Sequence, residues 1–546
     1  MRILAGETVM SVQYLRKYEF LLFLALLVAN ALPALAWHYF PTLDGAAHLY
    51  NAQLIRSLLT GDAPVLQAYF ELQTEALPNW IGHFILGLFG SFLPAFLAEK
   101  VLLLIYLAGL PLAFRRLIQT IAPQNVGVSY LVFPFCYAYL FQLGFYNFSL
   151  GLVLLFFTLS FWIRNETRRL TWGQTLQLFV LLTLTYFSHL FVFALLGLVI
   201  GARIVFKGLF PDDGDRKAAM QGLLQQLGRL LLAASLPLVF FINYFLSRPD
   251  LGDDVFIATS ELLQWLTQAR PLIAYNFDEE IQHTQLIAYA IYGLLLLGLI
   301  GQGIRLWKQK KQQAEATPQQ GNAVWSMPLY WLSCWIGIMG LYLFLPDSDG
   351  AAGYISTRLA WVSFLFLLLW ISSLKLYRWG IGVAALVVLF SSFQLNIFYG
   401  KALKSLSDTA RECETVGASI PANSVVLPIN HSDNWLHLHF SNYLGADKPL
   451  VILDNYEAGT GYFPVAWNRD QLPHTQLSPT APDFPCLHWR SDPKHETRPI
   501  DYVFLLHNGV ERADECAVEV MQLLQNQFEI VASTDRCSLY KKASQP

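Results

Sequence analysis

The sequence is short of charge. Asp, Glu, Lys and Arg make up 14% of its 546 residues, against roughly 25% in an average globular chain. So few charges cannot cover the surface of a soluble protein of this length, which excludes an ordinary cytosolic enzyme and a disordered chain. A basic excess is missing too. Thirty-six Lys and Arg face 39 Asp and Glu, a net charge of −3, so no nucleic-acid partner is expected. Cysteine is sparse, six residues with no Cys-x-x-Cys spacing, which argues against a zinc ribbon. No two halves repeat one another, whereas transporters are commonly built from related halves.

Long apolar runs are what the chain does have, at 55% hydrophobic residues and a mean hydropathy of +0.41. A helix needs about 20 apolar residues to cross a bilayer, because no backbone group can stay unpaired there. The first run is Phe20 to Trp37. Others lie near 97–114, 126–143, 147–163, 174–189, 190–206, 229–246, 284–304, 327–345, 358–374 and 379–398. The expectation is a mainly α, polytopic membrane protein of about eleven spans.

Basic clusters flank these runs at alternate ends: Arg16 and Lys17; Arg115 and Arg116; Arg164, Arg168 and Arg169; Arg203 and Lys207; Arg305, Lys308, Lys310 and Lys311; Lys375 and Arg378. The positive-inside rule then puts the N-terminus in the cytoplasm. The other side receives residues 38–96, the turn at Phe145 to Ser149, the turn at His189, residues 247–283, the turn 346–357 and the tail. Phe84 to Leu97 is apolar but broken by Gly87, Gly90 and Pro94, and reads as an interfacial or re-entrant helix. Ala31 to Ala36 resembles a signal-peptidase site. The run ahead of it exceeds the roughly 7–15 residues of a signal-peptide core, so a retained span is expected and cleavage is the alternative.

The domain reading is a multi-span unit over residues 1–398, with a long first outer loop at 38–96, and an extracytoplasmic α/β domain over 399–546. In the tail, Ser424 to Ile429, Pro449 to Leu453, Tyr502 to Leu506 and Phe528 to Ala532 read as strands. Leu403 to Val416 and Ala513 to Gln525 read as helices. Cys413, Cys486, Cys516 and Cys537 lie here. In an oxidising compartment they would form two disulfides, with three pairings open and free thiols the alternative.

The first outer loop carries a polar constellation. Asp44 stands where a helix N-cap would, with Gly61 closing the same helix. Asp44, His48 and Asn51 are spaced i, i+4, i+7, one helical face. A capped interfacial helix explains Asp44 equally well. Arg358 opens the tenth span on the outer side, after the turn that holds Tyr354, and breaks the basic-inside pattern. Its alternative is a snorkelling Arg paired with Asp347 or Asp349. Arg270 and Arg248 lie in the third outer loop. His189 sits at the outer end of the fifth span, and His83 reads as interfacial. In the tail, His431, His437 and His439 precede Asp454 and Glu457, a weak metal-site pattern. The stretch from Asp454 to Trp467 is rich in aromatics and glycine.

In its many spans, its long first outer loop with an acid soon after span one, and its outer C-terminal domain, the chain resembles the GT-C class of membrane glycosyltransferases. Pro78-Asn79-Trp80 and the Arg358 turn add to the likeness; the chain resembles the protein mannosyltransferase and aminoarabinose transferase type, with the subfamily left open. The resemblance implies a sugar donor linked to polyprenyl phosphate, drawn from membrane lipid, and an acceptor it does not specify. Asp44 would be the general base and His48 its helper. Asn51, His189, Arg270, Tyr354 and Arg358 would bind substrate. A divalent cation is possible, with no ligand set implied. There are departures. The family's Asp-Glu pair is Asp44-Gly45 here, its Lys-Pro-Pro stretch has no counterpart beyond Pro78, the Trp-Trp-Asp-Tyr-Gly signature is absent, and the second outer loop, Gly144 to Ser149, has no acid. The alternatives are a transporter or flippase of lipid-linked substrate and an inactive scaffold of the same fold.

Overall fold

The computed structural model describes residues 2–166, 170–209, 216–247, 253–313, 326–350, 352–468, 475–476, 488–489, 500–507, 521–522 and 524–543. The chain opens with helix α1 (Arg2–Leu35). The first loop folds as α2 (Gly45–Thr60), α3 (Pro64–Tyr69), strand β1 (Phe70–Leu72) and α4 (Ile81–Gly90). Then come α5 (Ala95–Ile121), a 3₁₀ helix (Pro123–Tyr137), α6 (Tyr139–Gln142), α7 (Tyr146–Asn165), α8 (Trp172–Ser188), α9 (Leu190–Leu209) and α10 (Arg216–Ser247). The bundle is completed by α11 (Thr259–Gln268), α12 (Phe277–Gln313), α13 (Ser326–Phe344), α14 (Ile355–Ser373) and α15 (Arg378–Gly417).

Nine of these helices, among the described residues, are long and apolar enough to cross a membrane. The protein is an integral membrane protein of mainly α structure. Two of the eleven apolar runs fold differently from a full α-helical span. Residues 174–189 lie in α8, which has 17 residues, about 26 Å at 1.5 Å per residue. Residues 126–143 are mostly the 3₁₀ helix, interrupted at Asn125. Hydropathy does not tell 3₁₀ from α. At about 2 Å per residue a 3₁₀ segment covers the same depth with fewer residues. It packs against α5, α14 and α15 and is buried from Val128 to Tyr137. α14 is the central helix, 94% buried across its span, whereas α10 is 17% buried and turns its apolar side chains outward. α4, of ten residues, is too short to span and exposes Phe84 and Leu88, as an interfacial helix does.

α15 continues without a break past residue 398, so the membrane helix becomes the stem of the C-terminal domain. That domain adds β2 (Val425–Asn430), β3 (Val451–Ile452), α16 (Glu457–Thr460), β4 (Val465–Trp467), β5 (Thr475–Gln476), β6 (His488–Trp489), β7 (Tyr502–Leu506), β8 (Phe528–Ser533) and β9 (Cys537–Lys542). Its main sheet has the order β3-β2-β7-β9-β8, with β3, β2 and β7 parallel and β9 antiparallel to both its neighbours. Pro428 sits inside this sheet without breaking it. Ser424 and Val426 bond toward β3, so Pro428 faces that side too, and β3 pairs only as far as Val426. Its missing N–H leaves no ladder bond unmade.

The first loop and the C-terminal domain form one body. β1 pairs antiparallel with β4, Phe70 opposite Trp467. Tyr50 Oη donates to the Leu450 carbonyl at 2.8 Å and accepts from Ile452 N–H at 3.0 Å. A Cβ at Gly445 would stand 2.6 Å from the Tyr50 ring. At the opposite end of the bundle two basic clusters are clamps. Arg115 grips Glu19 at 2.6 and 2.9 Å, and Arg203 grips Glu166 at 2.7 and 3.0 Å.

Cys413 on the stem and Cys537 on β9 are free buried thiols with sulfurs 3.5 Å apart. Cys486 and Cys516 lie outside the described residues, as does most of the expected helix from Ala513 to Gln525.

Candidate active site

Asp44 precedes α2, and Gly61 closes that helix in the left-handed conformation at φ 74°, but the Asp44 side chain makes no capping hydrogen bond. The capping role that alone would explain the residue is therefore not used. Its backbone is fixed from the second loop. Leu43 N–H donates to Gln142 O at 3.2 Å and Asp44 N–H to Leu143 O at 3.1 Å. The two segments approach closely because residue 144 is glycine. Gly144 has φ +87°, and a Cβ there would lie 2.9 Å from Asp44 Cβ.

A buried network backs this loop. Glu99, fully buried on α5, accepts from Phe40 N–H at 3.1 Å and from the Tyr146 hydroxyl at 3.3 Å, and Tyr146 meets Thr42 Oγ1 at 3.1 Å. The carboxyl of Asp44 is buried and bonded by the Tyr456 hydroxyl, and burial pushes it up to about 7. His439 brings Nε2 to 3.9 Å from Asp44 Oδ1 and stacks on Tyr456 at 4.5 Å. Burial holds His439 down at about 4, so it is neutral at physiological pH.

Four residues along the helix, His48 lies within electrostatic reach of Asp44 and also engages Glu457. Its Nδ1 lies 2.6 Å from Glu457 Oε1 and its Nε2 2.9 Å from the Gly144 carbonyl. His83 mirrors it, with Nε2 2.8 Å from Glu457 Oε2 and Nδ1 3.2 Å from the Asn79 carbonyl. All three residues are buried. Burial alone would raise Glu457, but His83 and His48 overcome it and hold its carboxyl at about 2.

This donor set fits a cation. The His48, His83 and Glu457 donors lie within 4.8 Å of one another. His48 Nδ1 and Glu457 Oε1 are 2.6 Å apart and His83 Nε2 and Glu457 Oε2 2.8 Å apart, so the carboxylate joins the two imidazoles. Each histidine also directs its second nitrogen at a backbone carbonyl, the arrangement that orients metal-ligating imidazoles. Two imidazoles and one carboxylate are the donor types that suit Zn²⁺.

Asn51 does not face this centre. It is fully buried and exchanges two hydrogen bonds with Asn455, at 3.1 and 2.9 Å, which seats the loop ahead of Tyr456 and Glu457.

Arg358 lies in the first turn of α14. Its guanidinium sits over Phe145 at 5.1 Å and Phe148 at 5.7 Å. Its Nε is buried without a hydrogen-bond partner, and no carboxylate pairs with it among the described residues. Asp347 is occupied by Ser356 N–H at 3.0 Å, and Asp349 accepts from Ala352 N–H at 2.8 Å. Tyr462 lies within electrostatic reach of both Asp44 and Arg358.

The other expected residues fall around the same rim. His189 sets its ring edge-on to Phe148 at 5.2 Å and accepts from Phe191 N–H through Nδ1. Tyr354 holds a left-handed φ of 58°, 5.9 Å from Phe145 and 6.1 Å from Tyr139. Arg270 lies over Tyr139 at 5.8 Å. Arg248 is outside the described residues.

Sequence reading left Glu457, His83, His439, Tyr456 and Glu99 without catalytic roles. The signals were the histidines ahead of Asp454 and Glu457, read as a weak metal-site pattern, and the acidic and aromatic content of Asp454 to Trp467. They grouped Glu457 only with residues of the tail, whereas its partners, His48 and His83, are in the first loop.

Taken together, these elements define a multi-span membrane protein with an acid-bearing first loop closed over by its own C-terminal domain. No protein-family model matches the chain, and no curated protein matches it in sequence. Among solved structures, ArnT from Cupriavidus metallidurans in the apo state matches with a TM-score of 0.51 and 12% sequence identity, over 96% of this chain and 98% of that one. ArnT from the same organism bound to undecaprenyl phosphate matches with a TM-score of 0.46 and 11% identity, over 95% and 97%. The fold of the chain is that of ArnT, a GT-C fold.

Proposed function

We propose that the chain is an integral-membrane glycosyltransferase that moves a sugar from a polyprenyl-phosphate-linked donor to an acceptor at the outer face. One observation carries this reading: a buried carboxyl poised near neutrality and the Arg358 guanidinium both lie within electrostatic reach of one tyrosine, Tyr462, at the same end of the bundle.

In the reaction an acceptor oxygen or nitrogen bonds to the anomeric carbon as the bond from that carbon to the donor phosphate oxygen breaks. Asp44 takes the acceptor proton. A carboxyl lifted to about 7 is a better base than an ordinary carboxylate and is about half ionised at neutral pH. The lipid phosphate leaves with its negative charge facing the Arg358 guanidinium, whose Nε has no hydrogen-bond partner among the described residues. Arg270 and Tyr354 on the aromatic rim, and His189 beside Phe148, bind the donor. Tyr456 and neutral His439 hold the Asp44 carboxyl in place.

His48, His83 and Glu457 would hold a divalent cation of the zinc type. Bound there, it would fasten the first loop to the C-terminal domain and fix the segment that presents Tyr456 to Asp44. The basic clusters at the far end of the bundle support a cytoplasmic N-terminus and an extracytoplasmic C-terminal domain.

The test is transfer by purified protein from polyprenyl-phosphate-linked sugars. Asp44→Asn lowers kcat by about 10²–10⁴-fold, the usual contribution of a general base, and leaves donor binding unchanged. Full activity of Asp44→Asn removes the base assignment. Donor counterflow in liposomes without product assigns the chain to transport instead.

A further inference from the structure

At the end of the bundle away from Asp44, a cavity of about 330 Å³ opens between α5, α7 and α8, lined by Arg116, Phe157, Ser160, Phe161, Arg164 and Leu181. We infer that it is a binding site for one anionic phospholipid, with the phosphate between Arg116 and Arg164 and an acyl chain along Phe157, Phe161 and Leu181.

The helix geometry suits a lipid. Phe157, Ser160, Phe161 and Arg164 are spaced i, i+3, i+4, i+7 and share one face of α7. From Arg164 to Phe157 the face descends about 10 Å along the axis, from the charged end of the span into its apolar part. The site thus changes from cationic to apolar over the depth at which a phospholipid changes from headgroup to chain. Phe157, Phe161 and Leu181 are only half-buried, so their ring and chain surfaces remain open to an acyl chain.

The charges are free to bind. Arg116 and Arg164 are exposed, and no carboxylate pairs with either among the described residues. Their neighbours are used otherwise: Arg115 is held by Glu19, and Glu166 is taken by Arg203 and Lys207. The hydroxyls at the wall are also satisfied. Thr120 Oγ1 is 3.1 Å from Ser160 Oγ and 2.9 Å from the Arg116 carbonyl. Two guanidiniums with no acid, at the mouth of an apolar cavity, match an anion that carries a hydrocarbon tail. The tail separates this ligand from free phosphate.

The experiment is native mass spectrometry of the full chain, stripped of lipid in detergent and titrated with phosphatidylglycerol or phosphatidylethanolamine. Wild type retains phosphatidylglycerol in preference. Arg116→Gln with Arg164→Gln weakens that retention about thirtyfold, from roughly fivefold per basic residue. Leu181→Trp fills the cavity and also loses the lipid with both charges intact. Arg305→Gln with Lys308→Gln, on the same side but outside the cavity, leaves retention unchanged. Unchanged binding by the double arginine variant or by Leu181→Trp, equal loss in the Arg305 and Lys308 control, no preference over phosphatidylethanolamine, or displacement by inorganic phosphate at equal concentration would each overturn the inference.

Discussion

Replacing Glu457 with glutamine removes one charge and loosens three segments. Glu457 Oε1 and Oε2 lie 2.6 and 2.8 Å from His48 and His83, and all three side chains are buried. Deleting one partner of a buried charged cluster costs about 3–5 kcal/mol, because the remaining charges stay buried and uncompensated. The loss spreads, since His48 also holds the Gly144 carbonyl and His83 the Asn79 carbonyl. We therefore expect Glu457→Gln to unfold at a clearly lower temperature, to become sensitive to protease between the first loop and the C-terminal domain, and to lose any bound zinc measured by elemental analysis. Leu453 lies in the same domain and is apolar, packed against the hydrophobic core, so Leu453→Met controls for unspecific damage and stays within about 1.5 kcal/mol of wild type. A Glu457→Gln protein with wild-type melting, protease resistance and metal content would refute the reasoning.

Three further outcomes follow from particular contacts. The base form of Asp44 is its ionised form, and burial puts its midpoint at about 7. Transfer should therefore rise with pH through about 7 and level off above it; a rate flat between about pH 5.5 and 8.5 contradicts the assignment. Gly144→Ala forces a side chain into a left-handed backbone 2.9 Å from Asp44 Cβ. A displacement of about 1 Å at a reacting group costs on the order of a hundredfold, so turnover should fall by that much while the protein still folds. Cys413 and Cys537 stand 124 residues apart in sequence and 3.5 Å apart at sulfur. In an oxidising compartment non-reducing peptide mapping should recover them joined, and Cys537→Ser should cost about 2–5 kcal/mol. Recovery of both as free thiols would contradict this.

The nine spanning helices were legible because each carries a long apolar run, and burial in lipid or protein demands that pattern. β2, β7 and β8 were legible from short runs of β-branched and aromatic residues. β9 was not, since Cys537-Ser538-Leu539-Tyr540 followed by two lysines is too mixed to stand out. The pairing of β1 with β4 was hidden because a three-residue strand has no periodicity to read and its partner lies in another part of the chain.

The site divides in the same way. Asp44 and Arg358 could be picked out because each is a charge at a membrane edge where few charges occur. The His83–Glu457 contact joins residues 374 positions apart. No local spacing encodes such a contact, and His83 taken alone reads as one polar residue on an apolar helix. His48 shares a helix face with Asp44, and its second partner, the Glu457 carboxylate, comes from the C-terminal domain.

The most direct measurement of the central claim is an experimental structure of the protein with undecaprenyl phosphate. The account predicts phosphate density within hydrogen-bond reach of the Arg358 guanidinium, on the side facing Tyr462 and Asp44. Phosphate bound elsewhere, with Arg358 still packed only on Phe145 and Phe148, would contradict it.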